Sequence, residues 1–217
     1  MKNLGAGTWI WGTALALSLA FTAWYHNWSG PLTSAEVDAY VEQLQARSDG
    51  GDPAALRDLR SFLEADDGRE FVMLNVIKLH TDPQPHPQTG EPTDAAELMG
   101  TYSSAFIGRL FRSAGHPVLV ADKIGPFVDT FGVTERPDWT LTSMVRYRSR
   151  RDLAEAATYE GFPGAHLFKT VAIENTFNFP THTRIQLFFS PGLLLPLLLF
   201  FVASLTHLVV MVRRQRP

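Results

Sequence analysis

The C-terminal part of the chain contains a long uncharged stretch that ends beside a cluster of arginines. Residues 187–212 include no Asp, Glu, Lys or Arg, and Arg213, Arg214 and Arg216 follow almost at once. Because a helix rises about 1.5 Å per residue, these 26 residues extend about 39 Å, more than the ~30 Å hydrocarbon core of a bilayer. The stretch therefore predicts a transmembrane helix, and the arginines predict a cytoplasmic C-terminus by the positive-inside rule.

A second apolar stretch, residues 7–25, has aromatic residues near both ends, as in the two interfacial belts of a spanning helix. Small residues recur at every fourth position, at Gly12, Ala16 and Ala20, so one face lets another helix approach closely. We expect that face to contact the C-terminal span or another subunit. The alternative is a signal peptide, with Lys2 as its positive region and a cleavage site at Ala20.

Both alternatives place residues 26–183 outside the cytoplasm. With the anchor retained, we expect a bacterial inner-membrane protein with both termini in the cytoplasm and a periplasmic soluble domain. A polar side chain, His207, lies inside the C-terminal span, where we expect it to contact Thr13, Ser18 or a partner subunit, or to reach the nearby interface. The expected division is an N-terminal anchor (1–28), a helical stalk (29–69), an α+β domain (70–183), and a C-terminal helix with its tail (184–217).

The charge of the central segment excludes one class of function. All 22 acidic residues lie between His26 and Thr183, together with only 14 of the 19 basic residues. A net-negative domain without a Lys/Arg stripe is repelled by phosphates, so we expect no nucleic-acid partner. The chain contains no cysteine, which is compatible with an exported domain that lacks disulfides.

Sequence patterns predict two helices followed by a mixed domain. A capping box at residues 33–36 starts the first stalk helix, and Asp52-Pro53 starts the second. In the domain we expect helices beginning at Asp94 and at Ser149, a short turn around His166, and five β-rich runs. These runs are residues 71–79, 117–124, 128–133 (a short one), 139–148 and 171–179. The order β-α-β-β-α-β predicts a ferredoxin-like fold.

Alternation along the strands predicts which side chains face the helices. The predicted helix-facing residues are Val72, Leu74 and Val76 in the first strand, Leu141, Val145 and Tyr147 in the third, and Ile173, Asn175 and Phe177 in the last. The opposite face is then a mixture of apolar and polar groups, with Met73, Asn75 and Ile77 among them. Because an uncovered apolar sheet face normally requires a second layer, we expect another copy of the chain to cover it.

One run of residues resembles a known family. Val145, Arg146, Tyr147, Ser149 and Arg150 match a motif of an uncharacterised bacterial family in the dimeric α/β-barrel superfamily, with Arg148 in place of the motif's proline. The flanking signals of that family match Trp139, His166 and the run Met73-Leu74-Asn75. The resemblance covers about half of the chain and implies a ferredoxin-like fold that pairs face to face, with a cleft beneath the sheet. It implies no particular activity.

Five residues are candidates for a site in that cleft: Asn75, Tyr102, Arg146, Arg148 and His166. Arginine would hold a carboxylate or phenolate, and Tyr or His would exchange a proton. The alternative is that the arginines form ion pairs with nearby carboxylates, which are Asp152, Glu155 and Glu174. Related superfamilies place a haem-binding histidine near His166, but a structural histidine is favoured because no cofactor motif accompanies it. The histidine spacings match no metal motif, so neither a metal nor another cofactor is expected.

Two functions follow as hypotheses. The first is a membrane-anchored extracytoplasmic interaction or accessory module that forms a homodimer or joins a membrane complex. The second is a cofactor-independent small-molecule oxygenase or isomerase, of the type found elsewhere in the superfamily that the chain resembles.

Overall fold

A computed structural model describes residues 5–47, 53–186 and 190–214, without the side chains of residues 162, 163 and 214. The chain divides into two compact units. One comprises the two ends, Met1–Trp28 and Arg184–Pro217, and the other is Ser29–Thr183.

The first unit is a pair of antiparallel helices. Helix α1 is Ala6–Tyr25 and helix α7 is Pro191–Arg214, and both are long and apolar enough to cross a membrane. Gly7 lies against His207, and Gly192 lies against Tyr25. The N-terminal end of α1 and the C-terminal end of α7 are therefore on the same side of the helix pair. The uncharged stretches at both ends of the sequence thus form helices of spanning length.

The face of α1 that contacts α7 differs from the expected one. The buried residues of α1 are Ala14, Ser18 and Tyr25, whereas Gly12, Ala16 and Ala20 are exposed. Since 3.6 residues make one turn, these two rows lie on opposite sides of the helix. The prediction that the small-residue row contacts α7 was therefore wrong. The small residues Ala14 and Ser18 form the buried face instead, and they allow α7 to pack closely. Contact of that row with another subunit stays a prediction.

The hydrogen bond of His207 in the structure is to Trp11 and not to Thr13 or Ser18. The histidine Nδ1 accepts a hydrogen bond of 3.0 Å from the indole nitrogen of Trp11. Trp11 also stacks on Phe200 with ring centroids 6.2 Å apart. The histidine therefore has a polar partner within the helix pair itself.

The second unit contains a four-stranded antiparallel sheet, in the order β4-β5-β1-β6, and a two-stranded ladder of β2 and β3. Its helices are α2 (Ser34–Arg47), α3 (Pro53–Glu64), α4 (Ala95–Arg112), α5 (Arg150–Thr158) and α6 (Phe162–Ala172). Its strands are β1 (Phe71–Leu79), β2 (Gln84–Pro85), β3 (Pro92–Thr93), β4 (His116–Asp122), β5 (Leu141–Tyr147) and β6 (Ile173–Thr181).

Helices α2 and α3 pack on the sheet domain, although the sequence suggested a separate stalk. Val37 and Val41 of α2 and Leu63 of α3 are buried together with Ala154 of α5. Arg151, at the start of α5, forms an ion pair with Glu36 of α2. The segment 29–69 therefore belongs to the same compact unit as the sheet.

Two predicted elements in the mixed domain were wrong. The predicted turn around His166 is helix α6, which buries Phe168 and Ala172, four residues apart on one face. The predicted short strand at residues 128–133 is a loop between β4 and β5. The four-stranded order places β4 directly beside β5, so this segment has no position within the sheet.

The predicted orientation of β1 was also wrong. Met73 and Ile77 pack in the core beneath the helices, so Val72, Leu74 and Val76 lie on the opposite, outer face. The phase of β6 changes at a bulge opposite Lys78 and Leu79. Ile173 packs against the core as expected, whereas the partners of Lys78 and Val76 are Asn175 and Phe177, which places both on the outer face.

Candidate functional site

A cavity of about 340 Å³ lies between the sheet and the helices of the second unit. Its floor is the helix-facing side of β1 and β5, and its walls come mainly from α4 and α5. Most of the lining is apolar and includes Met73, Met99, Phe106, Ile107 and Leu153. A mostly apolar cavity of this size with a few polar groups is typical of a small-molecule site.

A row of three polar residues crosses the floor of the cavity. Asn75 of β1 is paired with Ser143 of β5 on one side and with Asn178 of β6 on the other. Cross-strand partners project from the same face of a sheet, and all three residues line the cavity. The amide nitrogen of Asn75 donates long hydrogen bonds, of 3.3 and 3.4 Å, to the carbonyl oxygens of Met73 and Ser143. The row provides the floor with amide and hydroxyl groups that can orient a ligand.

Tyr102 projects from α4 into the wall of the cavity. Its ring stacks on Phe106, with centroids 5.4 Å apart, and meets the imidazole of His166 edge-on at 6.4 Å. Burial raises the pKa of the Tyr102 phenol to about 12, so the phenol is protonated at neutral pH. Burial, with a smaller effect from the charge of Lys169, lowers the pKa of His166. A neutral phenol and an imidazole of reduced basicity therefore lie side by side.

Lys169 is the only charged residue among the described residues that line the cavity. It projects from α6, and its Nζ lies 5.7 Å from the centroid of the Tyr102 ring. Burial lowers the pKa of this ammonium group, because desolvation disfavours the charged form. Sequence analysis missed Lys169, Ser143 and Asn178, since no motif distinguishes them from other polar residues.

The two candidate arginines do not line the cavity. Arg146 is buried and donates to Glu70 Oε2 from Nε at 2.9 Å and from Nη2 at 2.5 Å. Its Nη1 donates to the carbonyl oxygen of Ala114 at 2.6 Å. Arg148 holds Asp152 with two hydrogen bonds of 3.0 and 2.6 Å. Asp152 was among the partners expected if the arginines formed ion pairs, whereas Glu70 was not.

The predicted candidates therefore separate into two groups. Asn75 and Tyr102 line the cavity, and His166 contacts Tyr102 without itself lining it. The expectation that His166 has a structural role and binds no haem stays a prediction. Among the described residues, no group of three or more His, Asp or Glu side chains could hold a metal ion.

The fold and the cavity define an α+β domain with space for a small molecule, in a chain with two helices of spanning length. No protein-family model and no curated protein matches the chain. The chain is similar to the crystal structure of a protein of unknown function from Rhodopseudomonas palustris, at 17% identity and a TM-score of 0.48, over 62% of this chain and 95% of that one. A structure of that protein in methylated form gives 18% identity and a TM-score of 0.48, over 67% and 97% of the two chains.

Proposed function

We propose that this protein is a membrane-anchored accessory module whose ferredoxin-like domain pairs with a second copy of the chain, in the manner of a dimeric α/β-barrel. In this proposal α1 and α7 cross the bacterial inner membrane, both termini are cytoplasmic, and the sheet domain is periplasmic. The antiparallel helix pair supports this proposal, because the N-terminal end of α1 and the C-terminal end of α7 lie on the same side of the pair. The three arginines that follow the C-terminal span favour the cytoplasm for that side.

The exposed apolar residues on the outer face of the sheet are the main support for the proposed pairing of two chains. The apolar residues of this face are Val72, Leu74, Val76, Leu119, Met144, Phe177 and Phe179, and none of them belongs to a buried core cluster of the described residues. Phe177 is 63% exposed and Phe179 is 48% exposed. Because the same patch exists on every copy, two sheets can cover each other face to face. Such a contact removes the exposed aromatic surface of both copies from water.

The loop between β4 and β5 extends this apolar surface. Residues 123–140 form a long connection, and long connections in compact domains often have a binding role. Phe131 is 97% exposed, and Ile124 and Val128 are fully exposed. At the end of the loop, Trp139 packs edge-on against Phe177, with ring centroids 5.6 Å apart. The loop is thus joined to the outer sheet face, and a partner on that face would meet both.

The mass of the protein in mild detergent tests the pairing. We expect a dimer, and we expect Phe177→Glu to shift the population toward the monomer, because pairing would bury the new carboxylate. The matched control is Phe111→Glu, which changes a 50% exposed phenylalanine on α4 and leaves the sheet face intact. A wild-type monomer, or equal effects of the two substitutions, would contradict pairing through the sheet.

Protease added to intact spheroplasts tests the orientation. We expect cleavage within residues 29–183 and protection of the arginine-containing tail, since only the former would be exposed outside the membrane. A protected domain together with a cleaved tail would reverse the assignment and exclude a periplasmic partner.

The cavity favours a second candidate function, a cofactor-independent small-molecule oxygenase or isomerase. Asn75 and Tyr102 would hold the polar group of a substrate, while the apolar walls exclude water. Haem titration tests the cofactor-independent part of this proposal. We expect no Soret band that depends on His166, so a band in the wild type that His166→Ala abolishes would argue against it.

A further inference from the structure

We infer that the cavity binds a small apolar molecule with one carboxylate, and that the Lys169 ammonium group is the counter-charge for this carboxylate. The inference deepens the second candidate function by giving its ligand class. It requires neither catalysis nor pairing of two chains, so its outcome is separable from both.

The first argument is the position of Lys169. Its side chain lines the cavity, and its Nζ lies over the ring of Tyr102 at 5.7 Å. The other two lysines of the second unit, Lys78 and Lys123, form ion pairs with Glu174 and Asp138. Lys169 takes part in no ion pair among the described residues.

The second argument is the charge balance of the cavity. Among the described lining residues there is no Asp, Glu, Arg or His, so Lys169 is the single charge. Lys169 is half-buried, and a charge that is partly withdrawn from water without a partner is unfavourable. An anionic group on a ligand would provide that partner, and a carboxylate would add a charge-assisted hydrogen bond. The cation on the Tyr102 ring gives only a weaker attraction in the free protein.

The third argument is the size and polarity of the remaining space. The volume of about 340 Å³ is at the lower end of the roughly 300–1,000 Å³ usual for small-molecule sites. The walls, including Phe106, Ile107 and Leu153, favour an aromatic ring or a short aliphatic chain. The polar row of Ser143, Asn75 and Asn178 can hold one further polar group at the floor. An aromatic monocarboxylate with one ring fits these requirements.

Binding of trans-cinnamate and of the neutral cinnamamide to the full-length protein tests the inference, because the two molecules have nearly the same shape. Isothermal titration calorimetry in mild detergent should show cinnamate binding at least about tenfold more tightly, as expected for one charge-assisted hydrogen bond. Lys169→Met should remove this preference, and Lys169→Arg should retain part of it. The control Lys123→Met removes a lysine that lies outside the cavity lining and has a carboxylate partner, and it should leave both affinities unchanged.

Protection from acetylation gives a second readout that needs no variant. Cinnamate should slow the acetylation of Lys169, measured by peptide mass spectrometry, and leave that of Lys123 unchanged. Equal affinities for the two compounds, no binding of cinnamate, or a preference that survives in Lys169→Met would each overturn the inference. Because calorimetry reports binding and not turnover, the inference can hold for a protein without enzymatic activity. Conversely, a negative binding result would not contradict the proposed dimer, which is tested separately by the mass measurement.

Discussion

Arg146 illustrates how a candidate ligand-binding residue can have a structural role instead. Its guanidinium group joins three parts of the second unit, since it extends from β5, binds Glu70 just before β1, and binds the carbonyl oxygen of Ala114 between α4 and β4. The peptide it binds is unusual, because Ala114 has a φ of 56°, a left-handed conformation that is disfavoured for alanine. We therefore expect Arg146→Met to destabilise the fold rather than to abolish a binding activity.

The expected loss follows from the burial of each contact. The Arg146 side chain is 5% exposed, and its bond to the Ala114 carbonyl is buried. Losing a hydrogen bond from a charged donor and leaving that carbonyl without this donor costs about 1.5–3 kcal/mol. Glu70 is 56% exposed, so water can solvate its carboxylate, and this ion pair contributes at most about 1 kcal/mol. The sum for Arg146→Met is a loss of about 1.5–4 kcal/mol in the free energy of unfolding.

Urea unfolding of the full-length protein in mild detergent, followed by far-ultraviolet circular dichroism, measures this loss. Glu70→Gln is the matched control, because it removes the ion pair but keeps the contact between Arg146 and Ala114, and it should cost less than about 1 kcal/mol. A loss below about 0.5 kcal/mol for Arg146→Met, or equal losses for both variants, would refute this account. Equal losses in particular would mean that the exposed ion pair, and not the buried carbonyl contact, stabilises this region.

Three further predictions use the same measurement. Gly115→Ala should cost about 1–3 kcal/mol, because a Cβ there would lie 2.4 Å from Leu110 Cδ1 in the core. Ser149→Ala should cost about 1–2 kcal/mol, because the Ser149 side chain accepts the Asp152 amide at the start of α5. The urea midpoint should fall as the pH decreases through about 6.5, since burial lowers the pKa of His116 and His166 and the unfolded state then binds more protons. An unchanged midpoint between pH 7.5 and 5.5 would contradict the last prediction.

Features that depend on neighbouring residues were predictable from the sequence. Asp94 caps α4 by accepting the Ala96 amide at 2.7 Å, as its place before an apolar helical pattern predicted. The expected capping box is present, with Glu36 Oε2 accepting the Thr33 amide at 2.8 Å and Thr33 Oγ1 accepting the Glu36 amide. Such contacts span three residues, so the sequence contains all the information that they require.

Features that depend on a choice between similar faces were not predictable. Strand β1 is apolar on both faces, since Leu74 and Val76 alternate with Met73 and Ile77, so alternation alone cannot show which row is buried. The bulge in β6 reverses the phase after Ile173 and depends on pairing with a strand nearly 100 residues away. Gly161, Pro163 and Gly164 stand at the beginning of α6, and these turn-forming residues concealed the spacing of Phe168 and Ala172 on one face of the helix.

The candidate site was only partly predictable, because some of its residues have a local sequence signal and others are defined by distant contacts. Asn75 is a polar residue inside an apolar strand, and Tyr102 belongs to an apolar helical face, so both could be assigned a position near the cleft. The partner of Arg146 is Glu70, which is 76 residues away and is visible only after folding. Lys169 differs from other lysines in having an apolar surrounding without a carboxylate, and no local pattern reports that.

Introduced cysteines can show which face of α1 contacts α7 and which contacts another subunit. The test is direct because the chain has no cysteine of its own. A Cβ at Gly7 would lie 3.0 Å from the tip of the His207 ring, so the double variant Gly7→Cys with His207→Cys places two thiols on facing helices, and a short thiol-specific cross-linker should join them within one chain. Gly12→Cys lies on the opposite, exposed row and should give only dimers linked between chains, if that row contacts another subunit as predicted. Electrophoresis without reductant separates these products. Links between chains in the double variant would contradict the helix pair, and failure of Gly12→Cys to link would mean that its row faces lipid.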